Sequence, residues 1–274
     1  MAYQIIYAYT CHIGKVRLKN EDNFWCCEEC LEMEHLGTDG VLTGEKDLSN
    51  PRLFGVFDGM GGECCGEKAS CIAAHVCAQY ISKYREKWQK KPQEFLLHLC
   101  SWMNRMVYEY SLCNRIWSMG TTVALLMFDK TSVYSCNLGD SRIYHWNPSE
   151  MKQISTDHVF LRGMHKKGGL TQFAGLPEDL MLLDPCPFQG QIQAGDKYLL
   201  CSDGLTDMLA DEEIQEILSK NLSVKEQVQE LLEGALEKGG RDNITMILCE
   251  VREYQRKKSF RDRLKVVWKE WNKR

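Results

Sequence analysis

The chain has almost no net charge of either sign. Across 274 residues, 34 Lys and Arg against 38 Asp and Glu leave −4 at pH 7. Binding nucleic acid through bulk charge needs a basic surplus, so that class is set aside. Long apolar runs are also missing, and none approaches the ~18 residues that span a bilayer. The opening "MAYQIIYAYTCHIG" has no basic start, and polar residues break its apolar ones. No secretory leader is therefore expected, and the cytoplasm is the expected location. The first 250 residues show no internal repeat and no low-complexity linker.

Cysteine, by contrast, is plentiful, with fourteen residues. In a reducing compartment most are expected to act as small buried hydrophobes. A zinc site would draw on Cys26, Cys27, Cys30 and His35. However, "CEEC" is the one C-x2-C spacing and it lacks a second paired half, which argues against zinc. The near-balance of charge hides an asymmetry. From Arg252 onward, ten Lys or Arg stand against three acids, so residues 252–274 carry +7 and the remainder −11. Phe260, Leu264, Val267, Trp268 and Trp271 share one helical face, which predicts a basic amphipathic helix. Such a helix packs on the body or on another copy, lies on an anionic membrane surface, or docks on a protein partner. The expected division is 1–251 for one large domain and 252–274 for this tail.

Apolar patterning predicts strands at Gln4–Ala8, Asn23–Cys27, Leu53–Phe57, Thr122–Phe128, Ser132–Leu138, Arg142–Trp146, Lys197–Cys201 and Ile244–Val251. Helical stripes run from Glu67 to Tyr84 and from Phe95 to Tyr110. Two more helices start near Asp211 and Ser223, both placed as N-caps. Strands, then two long helices, then a block of strands, then helices and a last strand is not βαβ alternation. It predicts an α+β fold of antiparallel sheets flanked by helices.

Short segments place an Asp beside a strand end. They are "LFGVFDGMGG" with Asp58, "YLLCSDGLTD" with Asp203, "GGRDNITMILCEV" with Asp242, and the turn "NLGDSRIYHW" with Asp140. One Asp-Gly pair is an ordinary turn. Four acids at apolar strand ends can converge, and converging carboxylates repel unless a cation neutralises them. Hard oxygen donors select Mg²⁺ or Mn²⁺. A glycine beside the acid also lets a backbone carbonyl approach the ion.

Together these segments resemble the metal-dependent Ser/Thr protein phosphatases of the PP2C (PPM) family in compact bacterial form. The resemblance runs from about Ile13 to Val251 through "GKVRLKNEDNF", "LFGVFDGMGGECCGEKAS", "MGTTVALL", "NLGDSRIY", "STDH", "GGLTQFAGL", "LLCSDGLTDML" and "GGRDNITMI", in the family's order. It implies a four-layer α-β-β-α sandwich and two Mn²⁺ or Mg²⁺ ions held by Asp58, the Gly59 carbonyl, Asp203 and Asp242. Asp140 would help hold a third, weaker ion. Glu21 and Asp22 would stand near the centre, with Asp22 holding metal-bound waters, and Arg17 would grip the substrate phosphate. The implied reaction is hydrolysis of phosphoserine or phosphothreonine in proteins by a water bridging two ions, opposing Ser/Thr kinases in bacterial signalling. A cognate kinase is the implied partner, and the alternative is a weakly catalytic phosphoprotein-binding module.

The sequence departs from that pattern in three places. Met60 stands where many eukaryotic relatives carry a His credited as general acid, and His158 is a replacement by residue type alone. The flap is pared to a short basic loop, with Arg162, His165, Lys166 and Lys167 in it. Val159 replaces the usual Ser. A last alternative comes from "TCHIGKVR", where Cys11 and Arg17 match the C-x5-R of cysteine phosphatases. That chemistry needs a helix starting at the arginine to depress the thiol pKa. Here "LKNEDNFWCC" leads into a strand, so Cys11 reads as a strand thiol.

Overall fold

The structure is a computed structural model that describes residues 2–60, 65–162, 166–177 and 181–254. The tail face from Phe260 to Trp271, and His165, lie outside the described residues, as do the side chains of Arg162, Lys166 and Lys167. The strands form two antiparallel sheets. The first holds β1 (Tyr3–His12), β3 (Leu42–Asp47), β8 (Arg142–Asn147), β9 (Glu150–Gln153), β13 (Lys197–Cys201) and β14 (Ile244–Glu253), in the order β3-β1-β14-β13-β8-β9. The second holds β2 (Asp22–Cys26), β4 (Arg52–Met60), β6 (Val123–Phe128), β7 (Ser132–Leu138) and β12 (Cys186–Gln191), in the order β12-β7-β6-β4-β2. A two-residue strand, β5 (Gly120–Thr121), pairs with the end of β4.

Both faces of each sheet are covered, and this explains the unbroken apolar runs. In β6, Val123, Leu125 and Met127 pack with Phe95, Leu99 and Met103 of helix α3 (Pro92–Cys113) and with Ala73 and Val76 of α1 (Gly66–Lys83). The alternating set, Ala124, Leu126 and Phe128, faces the other sheet. In β14, Ile247, Cys249 and Val251 point between the sheets. Met246 and Leu248 instead meet Ile214 and Leu218 of α5 (Asp211–Ser219) and Val228 and Leu231 of α6 (Val224–Glu237). A period of two therefore places every second residue in a different apolar layer. Edge-to-face contacts run from Phe54 to Phe128 and on to Tyr198, joining the sheets. The result is the α-β-β-α sandwich expected above, with the short α2 (Arg85–Lys90) beside α3.

Four local features differ from expectation. Strands β3, β9 and β12 lie at sheet edges, where "LTGEKD", "EMKQ" and "CPFQGQ" are mostly polar or alternate weakly. An edge buries little, so apolar patterning does not mark it. The pared flap is not a loop but a hairpin of β10 (Val159–Arg162) and β11 (Lys166–Leu170). Asp203 lies two residues past the end of β13, after Ser202, and opens the short helix α4 (Asp203–Thr206). Asp211 is the first helical residue of α5 rather than its cap. Its carboxylate accepts from Tyr144 Oη at 2.7 Å, so the side chain serves a tertiary bond instead. Ser223 does cap α6: its Oγ accepts from Glu226 N, and the Glu226 carboxylate accepts from Ser223 N at 2.8 Å. This is a reciprocal capping box.

The antiparallel order gathers one set of strand ends at a single pole. Register pairs Asp22 with Asp58, Val123 with Leu138, His12 with Ile244, and Cys201 with both Met246 and Arg142. The ends of β1, β4, β7 and β13 therefore lie beside the starts of β14, β2, β6 and β8.

Candidate metal centre

Asp58 is fixed at this pole through its backbone. Thr122 N and Thr121 Oγ1 donate to Asp58 O at 2.8 and 2.9 Å, and Asp58 N donates to Thr122 Oγ1 at 2.9 Å. Thr122 Oγ1 in turn meets Ser141 Oγ at 2.6 Å. The "GTT" and "GDSR" segments thus hold the first acid in place. Gly59 N donates to Glu21 O at 3.1 Å. A Cβ on Gly59 would lie 2.1 Å from Gly66 O and 2.4 Å from Glu21 O, both backbone atoms, so no side chain fits there.

Asp22 lies beside Asp58 across the β2–β4 pair and is 1% exposed. Ser202 Oγ donates to its Oδ2 at 2.8 Å. Burial, with the charges of Asp203 and Asp242 adding to it, pushes the Asp22 carboxyl up to about 7. Asp58 is pushed well above the carboxylate range, first by burial and then by Asp22, Asp203, Asp140 and Asp242. Asp140 is 8% exposed in the turn between β7 and β8, behind Gly139 at φ +94°. Asp203 opens α4, where a Cβ on the following Gly204 would sit 1.9 Å from Asn243 O.

Five acids thus share one pole within electrostatic reach of each other, two of them side by side and desolvated. Among the described residues, no three His, Cys, Asp or Glu side chains already close around a point as a finished ligand set. What the structure supplies is the donor chemistry. Desolvated, mutually repelling carboxylate oxygens favour either protons or hard multivalent cations. The glycine cradle at Gly59 adds a backbone oxygen that no Cβ shields. The residues fit a divalent metal.

Asn243 anchors the segment that carries Arg17. Its Nδ2 donates to Ile13 O and Lys19 O, both at 3.0 Å, and its Oδ1 accepts from Glu21 N at 2.8 Å. Lys15 N donates to Gly240 O at 2.7 Å, and Gly14, at φ +82°, would place a Cβ 2.2 Å from Asp242 O. Segment 13–21, which carries Arg17 and Glu21, is therefore pinned to the start of β14. Arg17 is half exposed, and its Nη2 donates to Asp242 Oδ2 at 2.6 Å. That bond raises the guanidinium pKa further. Burial, with Glu67 nearby, pushes the Glu21 carboxyl up.

The sequence-based candidates Asp58, Gly59, Asp203, Asp242, Asp140, Asp22, Glu21 and Arg17 all fall at this pole. Sequence reasoning missed the residues that hold them: Asn20, Thr121, Thr122, Ser202 and Asn243. Asn20, Ser202 and Asn243 lie inside segments that carry an acid, Thr121 and Thr122 lie in "MGTTVALL", and each is a buried polar residue. His158 holds the turn before Asp140, where its Nδ1 accepts from Gly139 N at 3.2 Å and its N donates to Gly139 O at 3.0 Å. Burial lowers its pKa, and it serves as a loop histidine. Cys11 is fully buried in β1, takes a bond from Asn20 Nδ2 at 3.2 Å, and is pushed up to about 12 by burial and Asp22. No helix starts at Arg17, so the cysteine-phosphatase alternative fails.

A profile of the family "Protein phosphatase 2C" matches residues 43–249. The chain is 28% identical over 258 residues to the serine/threonine phosphatase stp of Listeria welshimeri, covering 86% of this chain and 92% of that protein. It is 29% identical over 217 residues to the serine/threonine protein phosphatase PstP of Mycobacterium tuberculosis, covering 74% of this chain and 41% of that protein. The crystal structure of PstP from M. tuberculosis matches with a TM-score of 0.73 at 26% identity, over 91% of this chain and 100% of that one. The PstP catalytic domain in complex with two manganese ions gives 0.71 at 25%, over 91% and 100%.

Proposed function

This chain belongs to the protein phosphatase 2C family, and from that membership we propose how its residues act as a metal-dependent protein serine/threonine phosphatase of bacterial signalling. The observation that carries the reading is the pair Asp22 and Asp58, buried side by side with three further acids around them. Asp58, the Gly59 carbonyl, Asp203 and Asp242 would hold two divalent ions, Mn²⁺ or Mg²⁺. Asp140 would contribute to a third, weaker one. When bound, such a pair supplies Lewis-acid charge at the phosphoryl oxygens and makes water nucleophilic at neutral pH.

The chain's own groups do the positioning. Thr121 and Thr122 hold the Asp58 backbone, and Ser202 Oγ donates to the Asp22 carboxylate, so the strand end and the second acid keep their places when the charge beside them changes. Asp22 and Glu21 stand around the centre as hydrogen-bond acceptors for ordered water. Arg17 rests on Asp242 and swings to the substrate phosphate, where its fork pairs two oxygens as lysine cannot. Met60 has no proton to give and His158 is committed to Gly139, so the leaving Ser or Thr oxygen takes its proton from water.

The substrates are phosphorylated Ser and Thr residues of proteins, with a cognate Ser/Thr kinase on the opposing side. Domain 1–251 supplies this chemistry. Strand β14 runs on to Glu253, where it pairs with Tyr3 at the pole opposite the acids. The basic tail 252–274 therefore departs far from the site, and it suits contact between a cytoplasmic enzyme and an anionic membrane surface or a protein partner.

Hydrolysis of a phosphothreonine peptide and of p-nitrophenyl phosphate tests the assignment. Activity is expected with Mn²⁺, abolished by EDTA and in Asp203→Asn, and kept in Cys11→Ala. Activity that survives EDTA and Asp203→Asn would refute it. No hydrolysis with any divalent ion would leave a phosphoprotein-binding module.

A further inference from the structure

Beside the acids lies a second feature that the phosphatase reading does not use. A cavity of about 390 Å³ opens next to segment 13–21, with Leu18, Met33, Glu34, His35, Leu36 and Glu67 in its lining. Its rim is unusually apolar for a free surface: Leu18 is 93% exposed and Leu36 is 72% exposed. Val16, on the other side of Arg17, is 63% exposed. Its inner wall is polar and unsatisfied. Glu67 Oε2 and His35 Nδ1 are buried atoms with no hydrogen-bond partner among the described residues.

These properties select a ligand chemistry. Two carboxylates, Glu34 and Glu67, outnumber the single cation Lys19 in the lining, and a buried carboxylate oxygen without a donor is costly. An occupant with a donor at its tip and methylenes along its stem answers both the acids and the leucines. Lysine and arginine side chains have that form. The cavity also adjoins residues of the proposed reaction site. Leu18 follows Arg17 directly, and Glu67 lies next to Gly66, where an added Cβ would come within 2.9 Å of the Glu21 carboxyl. A phosphate on Arg17 and a side chain in the cavity therefore belong to one short stretch of substrate, since an extended chain advances about 3.3–3.6 Å per residue.

We propose that this cavity is a substrate subsite for a lysine or arginine lying within a few residues of the phosphorylated Ser or Thr. Its stem lies against Leu18 and Leu36, and its cationic end meets Glu67 and Glu34. The inference rests on the phosphatase reading and deepens it, by naming which phosphoproteins the site prefers.

The test uses the full chain with Mn²⁺ and a series of phosphothreonine peptides. Each peptide carries one Arg at a single position from four before to four after the phosphothreonine. Ala, Glu and Leu peptides at the same positions are the references. One position is expected where Arg raises kcat/KM about fivefold or more over Ala, roughly what one partly desolvated ion pair contributes. Glu acts in the opposite direction there. In Glu34→Gln with Leu36→Ser, two changes on an exposed loop, the Arg/Ala ratio falls to within about twofold of one. The ratio cancels any change in turnover common to both peptides. A flat profile, a preference for Leu at that position, or an Arg preference that persists in the variant would each overturn the subsite and leave the phosphatase reading standing. No hydrolysis of any peptide or of p-nitrophenyl phosphate by the unaltered chain would overturn that reading, and the subsite with it.

Discussion

Replacing Asn243 by Ala tests whether the phosphate-gripping segment is held from the start of β14. Asn243 is 4% exposed, and its amide makes three bonds to segment 13–21: two donated to Ile13 O and Lys19 O, one accepted from Glu21 N. At roughly 0.5–1.5 kcal/mol net for each bond, the truncation costs about 2–4 kcal/mol. For a domain of this size that lowers Tm by about 4–12 °C. A second effect follows at the site. Arg17 sits between two of the anchored residues, Ile13 and Lys19, so releasing them removes its fixed approach to the phosphate. A hydrogen bond between charged groups is worth about 1.5–3 kcal/mol, so kcat/KM falls by about 10- to 150-fold. The assay is kcat/KM on a phosphothreonine peptide for Asn243→Ala, Arg17→Ala and the double variant, at a temperature where all three are folded. If Asn243 acts through Arg17, the double variant is no slower than Arg17→Ala alone, because the two losses are one loss. Losses that multiply would refute the reasoning and place Asn243's effect at Asp242 or elsewhere. A Tm within about 1 °C of the unaltered chain would refute the anchoring itself.

Gly59→Ala is expected to abolish metal-dependent activity and to lower Tm markedly, because the new Cβ meets two backbone oxygens that cannot move independently; calorimetry and the phosphopeptide assay together check this. Protein stripped with EDTA should be more stable at pH 5 than at pH 8. Asp22 and Asp58 have folded-state pKa values raised by burial, so their favourable contribution is full below the usual carboxylate range and is lost as pH rises through about 7 for Asp22. Adding Mn²⁺ should raise Tm more at pH 8 than at pH 5, and a metal-free Tm that climbs from pH 5 to 8 would contradict the crowded-carboxylate picture. Ending the chain at Tyr254 should leave p-nitrophenyl phosphate hydrolysis intact while removing co-sedimentation with vesicles rich in anionic lipid; equal sedimentation of both proteins would rule out the tail as a membrane contact.

The clustered acids were legible because their sequence signal and their place in the fold coincide. An apolar run that gives way to an acid marks the neighbourhood of a strand end, even though β4 runs on through Asp58 and Gly59 to Met60, and strands paired antiparallel bring such ends together whatever the loops between them do. The central strands were legible for a related reason. Val123 to Phe128 is apolar on both faces because helices cover one side and the second sheet the other, and few structures other than a buried strand suit so short a run. The edge strands β3, β9 and β12 had no such signal. Their register comes from backbone pairing with β1, β8 and β7, which sequence patterning does not record.

The polar scaffold was illegible for a different reason. Asn20, Ser202 and Asn243 are ordinary turn residues by type, and their weight comes from partners far along the chain: Ser202 reaches Asp22 across 180 positions and Asn243 reaches Ile13 across 230. Only the fold makes them neighbours. The Arg17–Asp242 bond spans 225 positions in the same way, and on the proposed assignment it couples the phosphate grip to a metal ligand. Arg17 spends one Nη2 hydrogen on Asp242 and keeps four further N–H donors, so it would face a phosphate while still leaning on that carboxylate. A cation on Asp242 would weaken that carboxylate's hold on the arginine and let the guanidinium turn towards a phosphate. On the proposed assignment, metal loading and phosphate binding would be linked through this one side chain, and the linkage would be reciprocal.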